Sequence, residues 1–209
     1  LRFLALDFET SHTDAQLGAP VTLGVAAFED GEVVGSYEWV CKPDTHYKTG
    51  AVTRCYDERA RLIHGYTLEH LLEHGEPLDK VCLGLTEFAA KTGTSNATIV
   101  AYNSNFDQAF LNTMLYLGGS YDRITQAYRP YASPLSGPWQ DAKALAERIC
   151  PRLENYKLAT VAPFLGVGEQ GDVHGALKDA LLAGKVFLSL RERMRGVVVG
   201  GDNSIKGVA

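Results

Sequence analysis

The chain has 209 residues, of which 45% are hydrophobic, and a formal net charge of −5. That length fits one domain with enough apolar material for a core, and the charge argues against a protein that grips long duplex nonspecifically through a wide basic surface. No run of about eighteen apolar residues is present to span a bilayer, and the opening Leu1-Arg2-Phe3-Leu4-Ala5-Leu6-Asp7 turns acidic too soon for a signal peptide. A soluble, cytoplasmic protein without membrane contact is expected. An opening at Leu1 instead of Met suggests a trimmed chain or an excised domain and leaves open whether other domains belong to it. Cys41, Cys55, Cys82 and Cys150 are scattered without a C-x-x-C pair, so four reduced thiols are expected, with neither a zinc site nor a redox motif.

In chain order, Arg2 to Glu9 is nearly continuous apolar sequence ending in acidic residues, the pattern of a central strand buried on both faces. Val21 to Glu29 and Glu32 to Cys41 are two more strand-like runs, joined by the hairpin signal Asp30-Gly31. Helical spacing covers Val81 to Lys91, a short buried strand runs from Thr98 to Tyr102, and a helix follows over Asp107 to Leu117. Gly118 to Pro138 carries Gly, Pro, Ser and Tyr without a period and reads as a long functional loop. Trp139 to Asp141 begins a further strand, and Asp141 to Ile149, Lys157 to Leu165 and Gly175 to Met194 read as helices. The expected architecture is α/β, a mixed five-stranded sheet whose first three strands are antiparallel, flanked by helices. Residues 1–195 form the expected domain, and 196–209 a Gly- and Val-rich tail.

Within Asp7-Phe8-Glu9 the carboxylates sit at i and i+2, so on a strand both point to one face while Phe8 packs on the other. Charge at the end of a buried strand is costly without cations or donors. The same D-x-E spacing recurs at Asp30-Gly31-Glu32, but in a hairpin turn, where solvated carboxylates are the ordinary occupants. Asp107 falls in the first turn of its helix; it reads equally as a cap or dipole partner and as a carboxylate facing the sheet, with Ser104 or Asn105 doing the capping. His174 precedes a helix in which Ala176 and Ala183, three before and four after Asp179, form a stripe of small residues that lets the backbone approach the sheet. His74 to Asp79 repeats that spacing but is interrupted by Pro77. Four carboxylates converging on two hard cations such as Mg²⁺ or Mn²⁺ suit phosphodiester displacement, and a neutral His beside them suits a general base.

Taken together, Leu4-Ala5-Leu6-Asp7-Phe8-Glu9-Thr10, Val100 to Asp107 and His174 to Ala180 resemble the three motifs of the DEDDh branch of DnaQ-like 3′→5′ exonucleases, within the ribonuclease H-like fold. Ile63-His64-Gly65-Tyr66-Thr67 is similar to the family's I-H-G-I-T segment, and Tyr156-Lys157-Leu158 to the K-L before the third motif. The resemblance implies that Asp7, Glu9, Asp107 and Asp179 hold two divalent ions, Mg²⁺ or Mn²⁺, with Asp7 bridging and His174 as general base. It implies that Thr10, His64 and Phe106 hold the terminal nucleotide, with ordinary loop packing the lesser alternative for His64 and Phe106. It further implies 5′-mononucleotide release from 3′ ends of single-stranded DNA or RNA, a polymerase or other nucleic-acid-processing partner, and a homodimer in some relatives. The alternatives are an inactive nucleic-acid-binding domain of the same fold and an endonuclease or strand-transfer enzyme. Two segments depart from the family pattern, Ser11 to Pro20 and Gly118 to Pro138; Tyr121, Arg123, Tyr128, Arg129 and Tyr131 in the second form either a substrate lip or a cover for the core.

Overall fold

The computed structural model describes residues 1–46, 48–122, 127–150, 152–168 and 175–199. β1 (Arg2–Thr10) pairs with β2 (Pro20–Glu29) antiparallel, and β2 with β3 (Glu32–Val40), while β4 (Thr98–Ala101) adds to β1 in parallel and β7 (Trp139–Asp141) to β4. The sheet order β3-β2-β1-β4-β7 is the expected five-stranded mixed sheet, with β1 in the middle. The unbroken apolar run of β1 has its cause there. Leu4, Leu6 and Phe8 face one layer with α3 (Leu78–Thr92) and α4 (Ser104–Leu117), and Phe3 and Ala5 face the other with α5 (Ala142–Ile149), α6 (Leu158–Leu165) and α7 (Ala176–Val199). Each face has its own core, and both are fully excluded from water at β1.

Two expectations are corrected, and a third element is longer than the sequence suggests. Two helices, α1 (Glu58–His64) and α2 (Leu68–His74), occupy a stretch where none was read. They bury only Leu71 between them, so they lack an apolar stripe. They are instead bounded by caps, the Asp57 carboxylate accepting from Arg59 N, the Thr67 hydroxyl from His70 N, and Gly65 in the left-handed region at φ 81°. The stretch from Gly118 to Pro138 is not wholly a loop, because β5 (Ser120–Asp122) and β6 (Ala127–Arg129) pair antiparallel within it. α7 runs through the position where a tail was expected to begin and extends to Val199; residues 200–209 lie outside the described residues. All four cysteines are free, and no helix among the described residues is long and apolar enough to cross a membrane.

Candidate active site

β1 runs beyond the end of β4, and that mismatch builds the site. The β1–β4 ladder stops at Ala5 and Val100, so Asp7, Phe8 and Glu9 project past the neighbouring strand. Into that space comes the first turn of α4, where the backbone N–H of Phe8 donates to Asp107 Oδ1 at 3.1 Å. Asp107 is 1% exposed. It therefore points to the sheet, where its carboxylate accepts from Phe8 N and also feels its own backbone N–H. Capping by Ser104 or Asn105 is not what happens: the N-cap is Asn103, at φ 75°, with no side-chain cap bond. Asn103 N instead donates to Asp141 Oδ1 at 3.1 Å, and that same oxygen caps α5 through Lys143 N and Ala144 N.

From the other face α7 brings Asp179 in its first turn, its N–H bonded to Gly175 O at 2.9 Å. Oxygens of Asp7, Glu9 and Asp179 all lie within 4.8 Å of one another. The close approach depends on small residues, as the alanine stripe implied. Ala176, Ala180 and Ala183 are fully buried. Their partner is Gly24 on β2, where a Cβ would stand 2.1 Å from the carbonyl carbon of Ala176 and 2.2 Å from Leu177 N. Gly24 is the ladder partner of Asp7, so the opening for α7 lies beside the carboxylate it must meet.

Electrostatics mark the same place. The Asp7 carboxyl is pushed well above its ordinary range, first by burial and then by the negative charges of Asp107, Asp179 and Glu9. The carboxyl of Asp107 is also raised, by burial, against the opposing effect of its hydrogen bond from Phe8 N. The donor set is all oxygen and carries mutual repulsion that a divalent cation relieves, and it suits hard ions. Thr22, opposite Glu9 on β2, adds a buried hydroxyl with no hydrogen-bond partner among the described residues. The residues present fit a divalent cation held by Asp7, Glu9 and Asp179, with Asp107 at their edge.

The remaining expected residues are placed as follows. His174 lies outside the described residues, as do all of 169–174. Thr10 ends β1 at a register irregularity, and its hydroxyl donates to His12 O at 3.0 Å. His64 ends α1, half-buried; its Nδ1 accepts from Tyr66 N at 3.0 Å, and burial followed by the Arg61 charge lowers its pKa. It lines a pocket of about 300 Å³ with Ser11, Tyr56, Arg61 and Tyr66. Phe106 packs on Phe110 with ring centroids 4.9 Å apart. The second D-x-E sits where solvated charges belong: Asp30 and Gly31 form the β2–β3 turn at φ 49° and 96°, and both are exposed. His74 and Asp79 fall on separate helices, broken at Gly75 and Pro77.

The segments Ser11 to Pro20 and Gly118 to Pro138 both border one groove of about 820 Å³, whose walls include Gln16, Arg54, Thr113, Tyr116 and Tyr131. The Thr113 hydroxyl ties α4 to Ala15 O at 2.9 Å. Tyr131 also packs against the core beneath α4, and the Tyr128 hydroxyl donates to Tyr116 O. Arg123 lies outside the described residues. Glu38 on β3 was not singled out by sequence. Its Oε1 accepts from Leu177 N at 2.9 Å, at the start of α7.

No family model matches the chain. It is 30% identical over 197 residues to the PolC-type DNA polymerase III of Thermotoga petrophila, covering 93% of this chain and 12% of that one. It is 29% identical over 197 residues to the same protein of Thermotoga maritima, with the same shares. The chain thus spans about an eighth of the curated relatives it matches. In structure it is similar to exonuclease I from Methylocaldum szegediense, with a TM-score of 0.69 at 18% identity over 95% of this chain and 42% of that one. Escherichia coli exonuclease I in complex with a dT13 oligonucleotide gives a TM-score of 0.66 at 18% identity, with the same shares. The chain thus shares its fold with the exonuclease I structures and, over 197 residues, is similar in sequence to a segment of PolC-type DNA polymerase III.

Proposed function

We propose that this chain is a metal-dependent 3′→5′ exonuclease that hydrolyses phosphodiester bonds at the 3′ ends of single-stranded DNA or RNA and releases 5′-mononucleotides. The observation that carries the reading is the meeting of Asp7, Glu9 and Asp179 oxygens within 4.8 Å, from two ends of the sequence. It is supported by the exonuclease I structures of the same fold, which are complexes with a dT13 oligonucleotide and with single-stranded DNA. Asp7, Glu9, Asp107 and Asp179 are the proposed ligands of two ions, Mg²⁺ or Mn²⁺. When bound, such ions supply charge neutralisation at the reacting phosphate and an acidified water.

The chain's own residues do the rest. Asp7 and Glu9, fixed on a strand buried on both faces, give the site a rigid floor. Asp107 is pre-oriented by the Phe8 N–H. His174, adjacent in sequence to Gly175, takes the proton from the attacking water. Thr10, His64 and Phe106 hold the terminal nucleotide, the rings by stacking that tolerates any base. The single strand behind it lies in the groove along α4, where Tyr116 and Tyr131 offer aromatic planes and Arg54 a phosphate contact. Residues 1–195 are the catalytic unit, and a polymerase partner or a second copy of the chain would act through surfaces outside the site.

A time course on 3′-labelled and 5′-labelled DNA and RNA strands with Mg²⁺ tests the proposal. Expected are immediate release of 3′-terminal label as mononucleotide, a ladder from the 5′-labelled strand, and no attack on a circular single strand. Binding of single strands in EDTA without cleavage when Mn²⁺ is added would overturn it in favour of a binding domain.

A further inference from the structure

The first turn of α7 is held by a residue that lies outside the three motifs. Leu177 N is one of the helix-start N–H groups that have no acceptor within the helix, and it donates to Glu38 Oε1 at 2.9 Å across 139 residues of sequence. An ordinary cap comes from the residue just before the helix; here the acceptor comes from the third strand, so the cap is also a tertiary tie. Asp7, Gly24 and Glu38 are ladder partners in one row across β1, β2 and β3. All three therefore face the α7 layer at one height. Gly24 lets the turn sit directly on β2, and Glu38 fastens it from the far side.

We propose that Glu38 is a positioning residue that fixes the height of α7 on the sheet and thereby delivers Asp179 to Asp7 and Glu9. The inference rests on the metal-site reading of those carboxylates. Glu38 does not itself belong to the group whose oxygens meet within 4.8 Å, so it acts through the helix and not as a ligand. Asp179 follows Leu177 by two residues and would ride with any shift of the turn. The tie to Glu38, favoured by the positive end of the helix, holds the turn in place, so that an Asp179 oxygen stays within 4.8 Å of those of Asp7 and Glu9. Tyr66 stands near both Glu38 and Glu9, whose charges add to the effect of burial in raising its phenol, which places Glu38 beside the same cleft.

The test is calorimetric titration of Mn²⁺ into metal-free wild type, Glu38→Ala and Glu38→Gln, with kcat and KM on one single-stranded substrate and a thermal melt of each. Glu38→Ala is expected to weaken Mn²⁺ binding by about 10-fold or more, as loss of a group that supports a metal ligand does, and to lower kcat at limiting Mn²⁺ with KM unchanged. Glu38→Gln keeps the oxygen acceptor and is expected to recover most of both, and it carries the comparison if the alanine variant does not fold. Unchanged Mn²⁺ affinity in a folded Glu38→Ala, even with a lower melting temperature, would overturn the role. So would a glutamine variant as weak as the alanine one. Failure of the wild type itself to bind Mn²⁺ would instead reject the metal site, and the positioning role would fall with it.

Discussion

The backbone N–H of Phe8 meets Asp107 Oδ1 at 3.1 Å, although 99 residues separate them. Because β4 ends short of β1, that N–H lacks a strand partner, and the carboxylate serves as one while lying at the edge of the acidic cluster. The two roles separate by substitution. Asp107→Asn keeps an oxygen for Phe8 N and removes a buried charge, so it is expected to melt no lower than wild type in EDTA. Asp107→Ala strands a buried donor and is expected to lose about 1–3 kcal/mol. Both variants are expected to lose more than about 100-fold in metal-dependent cleavage, beyond what groups that merely support a ligand cost. Wild-type turnover by Asp107→Asn would remove Asp107 from the ligand set.

Much of this site was legible because its signals are local. Alternation on a strand puts Asp7 and Glu9 on one face, and Ala176 and Ala183 flank Asp179 at helical spacing, so each carboxylate announces its direction within a few residues. Gly24 and Glu38 were not legible, since what demands them is the first turn of α7, far away in sequence. On β3, where Ser36 and Tyr37 before it are exposed, an acidic residue looks like solvated surface. α1 and α2 escaped for another reason: they have seven residues each and almost no buried face, so their only marks are caps. The β5–β6 hairpin, of three-residue strands, is shorter than any alternation that a sequence can display.

Gly24 gives a sharp packing prediction. A Cβ at 2.1 Å from backbone of α7 cannot be relieved by a rotamer change, so the helix itself must move. Gly24→Ala is expected to destabilise the protein by about 3 kcal/mol, the upper part of the range for overpacking, measured by urea denaturation. Cleavage is expected to fall further than the folded fraction does, because Asp179 moves with the helix. Stability and activity both near wild type would show that α7 does not rest on β2 so closely.

The groove along α4 predicts a dependence on substrate length. Arg54 reaches its wall, and its guanidinium donates to Gln16 O in the loop that follows β1. Arg54→Ala is expected to raise KM several-fold for a long single strand, leaving kcat unchanged and leaving a dinucleotide unaffected. The salt dependence of strand binding is expected to lose roughly 0.7 in slope, the contribution of one phosphate contact on a single strand. An equal rise in KM for the dinucleotide would place Arg54 at the terminal nucleotide instead, and no change would remove the groove from the strand's path.

Asp7 links the site to stability through pH. Burial, followed by the charges of Asp107, Asp179 and Glu9, raises its native-state pKa well above the ordinary 3.8. The native protein therefore holds this proton more tightly than the unfolded chain does. The resulting stabilisation is complete below the unfolded value and disappears as pH rises through the raised native one. In EDTA, the melting temperature is accordingly expected to fall over that interval, and Mn²⁺ to restore it above the interval by taking the place of the lost proton. Asp7→Asn abolishes the titration: in EDTA it is expected to show no such fall, to gain little from Mn²⁺ and to cleave nothing. A wild-type melting temperature in EDTA that runs parallel to that of Asp7→Asn across the whole accessible pH range would mean that burial and the neighbouring carboxylates do not act on Asp7 in this way.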